Sequence, residues 1–290
     1  MKKQVVRLLS FILLLTSCSS LSRKPGERVI TVSIPPFEYF VKAVADSDFT
    51  VNVMLPPGAD HHSWEPLPGQ IMALAKSEAF IINGCLGFEY AWMGRFRDVN
   101  PEMKIKDLSE SISLIEPERV FAHTGHENEG ADPHYWISPK EAYAIAEEVR
   151  DLVKELNPGS AEKYESNYSK LIQKIAEVDS AVTRMFGNAS SKTFMIFHPA
   201  LTYIARDYGL EQISFEDEGK DPSPARMKDL IDMTRSKGIK IIFIQAEYDL
   251  KSAKVLADET GARLVRINPM NPEWDTAVIE IGKAISRGGD

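Results

Sequence analysis

Six histidines carry most of the chemical potential of this sequence: His61, His62, His123, His126, His134 and His198. None falls inside a stretch patterned as a helix or a strand. His198 directly follows a strand-like run. His61 and His62 lie in the turn-rich loop after another, and His134 lies in Asp132-Pro133-His134, between a polar loop and a helix. In open α/β sheets, ligands gather beyond the carboxyl ends of strands, where loops from two lobes can face one another. Three neutral imidazoles meeting there would suit zinc or another borderline metal, at about 2.0–2.1 Å per Zn–N bond. Read singly, each histidine is more simply a surface or capping residue. Spacing adds nothing, because there is no His-Glu-x-x-His and no Cys-x-x-Cys. The case for a metal site rests on joint placement.

The elements that must position these residues follow from hydrophobic periodicity. The pattern predicts strands over 28–34, 49–55, 79–83 and 104–108, alternating with helices over 37–45, 69–76, 88–97 and 138–156. It then restarts, with strands over 193–197, 212–215, 239–245 and 263–267 and helices over 200–208, 224–236, 250–260 and 275–286. Such alternation implies crossovers and parallel sheets. Between the halves, Tyr164, Tyr168, Leu171, Ile175, Val178, Val182 and Met185 form one apolar stripe of helical period. Asn157-Pro158-Gly159 breaks the chain before it, Ser160 is an N-cap, and Gly187-Asn188 suits the C-terminal end. A helix over 160–186 would be about 40 Å long, the width of a domain. The expected fold is α/β, two βα lobes with roughly four-stranded parallel sheets joined by one long connecting helix. The lobes are expected at 27–157 and 189–290, with the connecting helix at 158–188 and a histidine site in the seam.

The N-terminus stands apart. Lys2, Lys3 and Arg7 precede an apolar run over 8–15, too short to cross a membrane, which reads as a secretory signal over 1–17. Leu15-Thr16-Ser17-Cys18 resembles a bacterial lipobox, which implies a lipid on Cys18 and a polar tether over 18–26. The expected location is that of an exported lipoprotein, anchored by Cys18 on the periplasmic or extracellular face. Loss of 1–17 removes three positive charges and no negative ones, leaving 31 − 42 = −11. With no basic patch, nucleic acid is not an expected partner, and a cation is the more natural ligand. Cys85 would then be the lone cysteine, so no internal disulfide is expected.

Four stretches point to a family. Gly58-Ala59-Asp60-His61-His62-Ser63-Trp64-Glu65-Pro66, Asp132-Pro133-His134-Tyr135-Trp136-Ile137-Ser138-Pro139-Lys140 and Phe197-His198-Pro199-Ala200 each resemble a motif of the zinc/manganese-type ABC-transporter solute-binding proteins. Asn83-Gly84-Cys85-Leu86-Gly87-Phe88-Glu89 is similar to a further family stretch. The resemblance extends from about Val29 to Ile285. It implies two lobes with a metal held between them and passed to a membrane permease driven by an ATPase; a monomer without enzyme activity is expected. The alternatives are a manganese receptor of the same family, a surface adhesin-like lipoprotein, and a three-histidine zinc hydrolase; for the last, no catalytic-base motif is present.

The resemblance places the first three metal ligands on His62, His134 and His198. The fourth departs from the family, because many members have Asp in a "L-D-P-L" stretch where this chain has Ile267-Asn268-Pro269-Met270. His61, Asn268 or a water remains for that position, with His61 or water favoured. Manganese-type members have Glu at the third position and Asp at the fourth. Imidazole suits Zn²⁺ and carboxylate suits Mn²⁺, so zinc is expected over manganese. The loop carrying His123, His126, Glu127 and Glu129 resembles a short version of the family's acidic, histidine-rich loop and is a candidate secondary metal site; a plain polar loop is the alternative. Asp60, Glu65 and Asp132 are candidate acceptors for ligand N–H groups. Gln245, where many relatives have Glu, is expected to be structural. Affinity should collapse below about pH 6.5, where free histidine becomes charged.

Overall fold

The computed structural model describes residues 27–116, 130–216 and 221–287. The N-terminal lobe runs β1 (Val29–Val32), α1 (Pro35–Ala45), β2 (Thr50–Val53), α2 (Pro68–Leu74), β3 (Ala79–Ile82), α3 (Gly87–Val99), β4 (Lys104–Asp107) and, beyond a short 3-10 turn at His134–Ile137, α4 (Pro139–Leu156). The helix α5 (Ala161–Gly187) follows. The C-terminal lobe runs β5 (Thr193–Ile196), α6 (Thr202–Tyr208), β6 (Glu211–Ser214), α7 (Pro224–Lys237), β7 (Ile241–Gln245), α8 (Lys251–Thr260), β8 (Arg263–Ile267) and α9 (Trp274–Ser286).

Each lobe holds a four-stranded sheet, ordered β2-β1-β3-β4 in one and β6-β5-β7-β8 in the other, and every pairing is parallel. The chain thus adopts the expected α/β architecture. Its strands sort by composition. The inner strands β1 and β3 read Val-Ile-Thr-Val and Ala-Phe-Ile-Ile and are buried at every position, as is β7. The edge strands β2, β4 and β6 carry polar residues and are partly exposed. Strands covered on both faces tolerate no regular polar alternation, whereas edge strands do. The turn after β3 needs a glycine. Gly84 has φ +85°, and a Cβ there would lie 2.0 Å from Asp107 Oδ1.

α5 contains 27 residues, which at 1.5 Å per residue makes it about 40 Å long. It packs on α1 and α4 of the first lobe and on α9 of the second. Its buried face is Tyr164, Leu171, Ile175, Val178, Val182 and Phe186. Phe186 replaces the expected Met185 at the end of the stripe because its ring seats against Tyr208, with centroids 5.2 Å apart. One apolar core runs unbroken from the first sheet through α5 and α9 to residues of β5 and β7, and a second, smaller cluster underlies α7 and α8.

The lobes are also tied directly. Trp136 Nε1 donates to Pro269 O at 3.0 Å, and Trp274 Nε1 donates to Trp136 O at 2.7 Å. Tyr203 donates its hydroxyl to Asp132 O at 2.8 Å, and Arg206 pairs with Glu141. Trp136 and Trp274 are buried, so breaking these bonds strands polar groups away from water. Among the described residues, no helix is long and apolar enough to cross a membrane.

Candidate metal centre

Four histidines converge at the seam between the lobes. His61 and His62 lie on the loop between β2 and α2. Asp60 shapes that loop, accepting from the His62 main-chain N–H at 3.0 Å and from the Ser63 hydroxyl at 2.7 Å. His134 opens the 3-10 turn before α4, and its main-chain N–H donates to Asp132 Oδ1 at 2.8 Å. His198 stands two residues beyond β5. His61, His134 and His198 are buried, and His62 is exposed.

The ring nitrogens meet. Nε2 of His61 lies 3.0 Å from Nε2 of His134, Nε2 of His62 lies 2.9 Å from Nε2 of His198, and the Nε2 atoms of His134 and His198 are 3.3 Å apart. One ligand atom from each residue fits within 4.8 Å of all the others. A tetrahedral zinc with bonds of about 2.0–2.1 Å separates its donor atoms by about 3.3–3.4 Å. The cluster is therefore on the scale of a single tetrahedral coordination sphere.

Hydrogen bonds on the far side of two rings fix where their protons sit. His134 Nδ1 lies 2.9 Å from Asp132 Oδ1, and His198 Nδ1 lies 2.9 Å from Glu216 Oε1. A carboxylate accepts, so each Nδ1 donates and each Nε2 presents a lone pair. Two such lone pairs facing one another repel unless a cation lies between them. His61 Nδ1 is buried and has no protein partner. Burial favours the neutral form of His61, His62 and His134. Desolvation holds His61 well below the usual histidine range, and repulsion from the neighbouring imidazoles adds to it. His62 is lowered by desolvation first and then by His134 and His198. Burial lowers His134 as well, although Asp132 pulls in the opposite direction. Burial pushes Asp132 up, but its contacts with His134 prevail and it ends below the ordinary carboxylate value.

The histidines singled out by motif, His62, His134 and His198, come together and His61 joins them. Asn268, just beyond β8, is exposed, and its Oδ1 accepts from Met270 N–H at 3.1 Å, so that oxygen is used within its own turn. Cys18, His123, His126, Glu127 and Glu129 lie outside the described residues. Of the expected N–H acceptors, Asp132 takes that role, Asp60 caps its loop and Glu65 is exposed. Glu216 was not legible from motifs. A signal exists in the sheet register: Ile196 pairs with Ser214, so two residues further on His198 falls opposite Glu216.

Two parallel βα lobes on one spanning helix, with donor side chains in the seam, define a two-lobed solute-binding protein with a metal-type site. The chain belongs to the family described as "Zinc-uptake complex component A periplasmic", whose model matches residues 30–277. It is 28% identical over 278 residues to the high-affinity zinc uptake system protein ZnuA of Bacillus subtilis (strain 168), covering 89% of this chain and 85% of that one. It is 27% identical over 305 residues to the zinc-binding protein AdcA of Streptococcus pyogenes serotype M3 (strain ATCC BAA-595 / MGAS315), covering 93% of this chain. The chain spans only 56% of the length of that streptococcal relative. A crystal structure of ZnuA superposes with a TM-score of 0.84 at 30% identity, covering 91% of this chain and 100% of that one.

Proposed function

We propose that this chain is an extracytoplasmic receptor that holds one Zn²⁺ ion between its lobes and delivers it to an ABC importer. One observation carries the reading: the Nε2 lone pairs of His134 and His198 face each other at 3.3 Å, each imposed by a carboxylate behind its ring. His62 and His61 complete a four-imidazole set, with His61 taking the fourth position in preference to Asn268 or a water. Four protein donors close a tetrahedral site, whereas a hydrolytic zinc keeps a position open for water. Holding the metal without chemistry suits a carrier. The donor set offers no carboxylate, which favours Zn²⁺ over the harder Mn²⁺.

The relatives named for zinc binding and zinc uptake support the same cargo. On this reading the partners are a membrane permease and its ATPase, and a lipid on Cys18 keeps the receptor at the membrane. His123, His126, Glu127 and Glu129 gather metal for the cleft. Equilibrium dialysis of the purified protein against Zn²⁺ and Mn²⁺ tests the proposal. One tightly held Zn²⁺ per chain and weaker Mn²⁺ are expected; tighter Mn²⁺ would refute the choice of cargo.

A further inference from the structure

In each sheet a buried carboxamide stands at the end of the third strand, Asn83 just past β3 and Gln245 as the last residue of β7, and the two occupy equivalent places in the register. Val32 of β1 pairs with Ile81 of β3, and Ile196 of β5 pairs with Phe243 of β7. Two residues beyond Ile81 is Asn83, and two residues beyond Phe243 is Gln245. Both side chains are fully buried.

Their hydrogen bonds match as well. Asn83 Nδ2 donates to Pro133 O at 3.0 Å, the residue immediately before His134. Gln245 Nε2 donates to the carbonyl of His198 itself at 2.7 Å. Asn83 also grips the other side of His134, because its main-chain carbonyl accepts the Tyr135 hydroxyl at 2.6 Å. The Asn83 turn is in turn fixed from behind by the buried Glu89, whose carboxylate accepts from the main-chain N–H groups of Asn83 and Gly84, each at 2.8 Å.

The Gln245 amide is costly at its position, whereas Asn83 Oδ1 accepts from the Cys85 main-chain N–H at 3.1 Å. Gln245 Oε1 is buried without a protein partner, and an apolar side chain there would leave no acceptor unsatisfied. What the amide supplies, and an apolar residue cannot, is a donor aimed at the backbone of a ligand-bearing segment. A carbonyl held by a fixed donor orients its peptide plane and, with it, the side chain attached to the segment. Metal sites tolerate bond-length errors of only about 0.2 Å, so that orientation matters.

We propose that Asn83 and Gln245 are a matched pair of positioning residues, one per lobe, that aim His134 and His198 at the shared metal and so set its affinity. This rests on the metal-binding reading above. Neither amide touches an imidazole ring by any described hydrogen bond, so each acts through the backbone.

The test uses the full chain with Asn83→Ser and Gln245→Met, each also built on His134→Ala and on His198→Ala. Zinc affinity is measured by competition with a chelating indicator, and the visible spectrum of the Co²⁺-substituted site reports ligand geometry. Each variant should weaken zinc about tenfold or more, the range for outer partners of metal ligands, and should alter the cobalt spectrum. Asn83→Ser should add nothing once His134 is gone yet keep its effect when His198 is gone; Gln245→Met should show the reverse. Unchanged affinity and spectrum, or losses indifferent to which histidine is missing, would overturn the pairing. If either variant fails to fold, Asn83→Leu and Gln245→Leu remove the donor without adding a titratable group and carry the same expectations. Failure of the unmodified chain to take zinc would instead sink the metal-binding reading.

Discussion

The Nε2 atoms of His134 and His198 stand 3.3 Å apart across the seam, and each ring has its opposite nitrogen committed to a carboxylate. This places a negative charge behind each donor without putting a carboxylate in contact with the metal position. A divalent ion among four neutral imidazoles keeps its full charge, and Asp132 and Glu216 together balance it from outside. Replacing either carboxylate by its amide, Asp132→Asn or Glu216→Gln, should therefore weaken zinc by about 10–100-fold while leaving the stoichiometry at one. Calorimetric titration measures both; an unchanged affinity in the two variants would show that the carboxylates do not tune the site.

The pH response follows from the direction of the histidine shifts. His61, His62 and His134 all titrate below the ordinary histidine value of 6.5 in the folded chain. Below 6.5 the unfolded chain then binds more protons than the folded one. Stability of the metal-free protein therefore falls as the pH drops below about 6.5 and is level with respect to these groups above it. For zinc binding, the same shifts move proton competition downward from the value expected of free histidine. Four ordinary imidazoles would together lose roughly 10⁴ in affinity between pH 7.5 and 5.5, about tenfold each. The expected loss here is far smaller, and a chelator competition series over that interval reads it. A drop of about four decades would mean that the rings titrate as free histidine does.

Much of this architecture is legible in the sequence. β-branched runs marked the buried strands, and an apolar stripe of helical period marked α5, because both patterns report burial directly. The four histidines were readable as loop residues, but their convergence depends on how two lobes meet, which local pattern does not encode. The tie of Glu216 to His198 is a cross-strand relation at the ends of β5 and β6, which no local motif carries. Gln245 was readable only as a buried strand end. Its bond to the His198 carbonyl belongs to the tertiary fold. Asn268 shows the converse, since a motif position suggested a ligand whereas the side chain caps its own turn.

The cross-lobe bonds of Trp136 and Trp274, with α5 spanning both halves, predict restricted closure. Both indoles are buried with their N–H groups paired across the seam, so a wide hinge swing would leave them unsatisfied. Small-angle scattering should give nearly the same radius of gyration with and without zinc. Trp274→Phe, which removes the bond to Trp136 O, should lower stability by about 1–3 kcal/mol. A large zinc-induced compaction would show that the seam opens despite these ties.

The central claim is that four imidazole Nε2 atoms, two from one loop and one each from the segments carrying His134 and His198, surround a single zinc ion. Crystals grown with zinc and measured on both sides of the zinc absorption edge test it most directly. The account predicts one strong anomalous peak in the seam, within about 2.0–2.1 Å of the four Nε2 atoms. A peak bonded to Asn268 with His61 turned away, or no peak between the lobes, would contradict it.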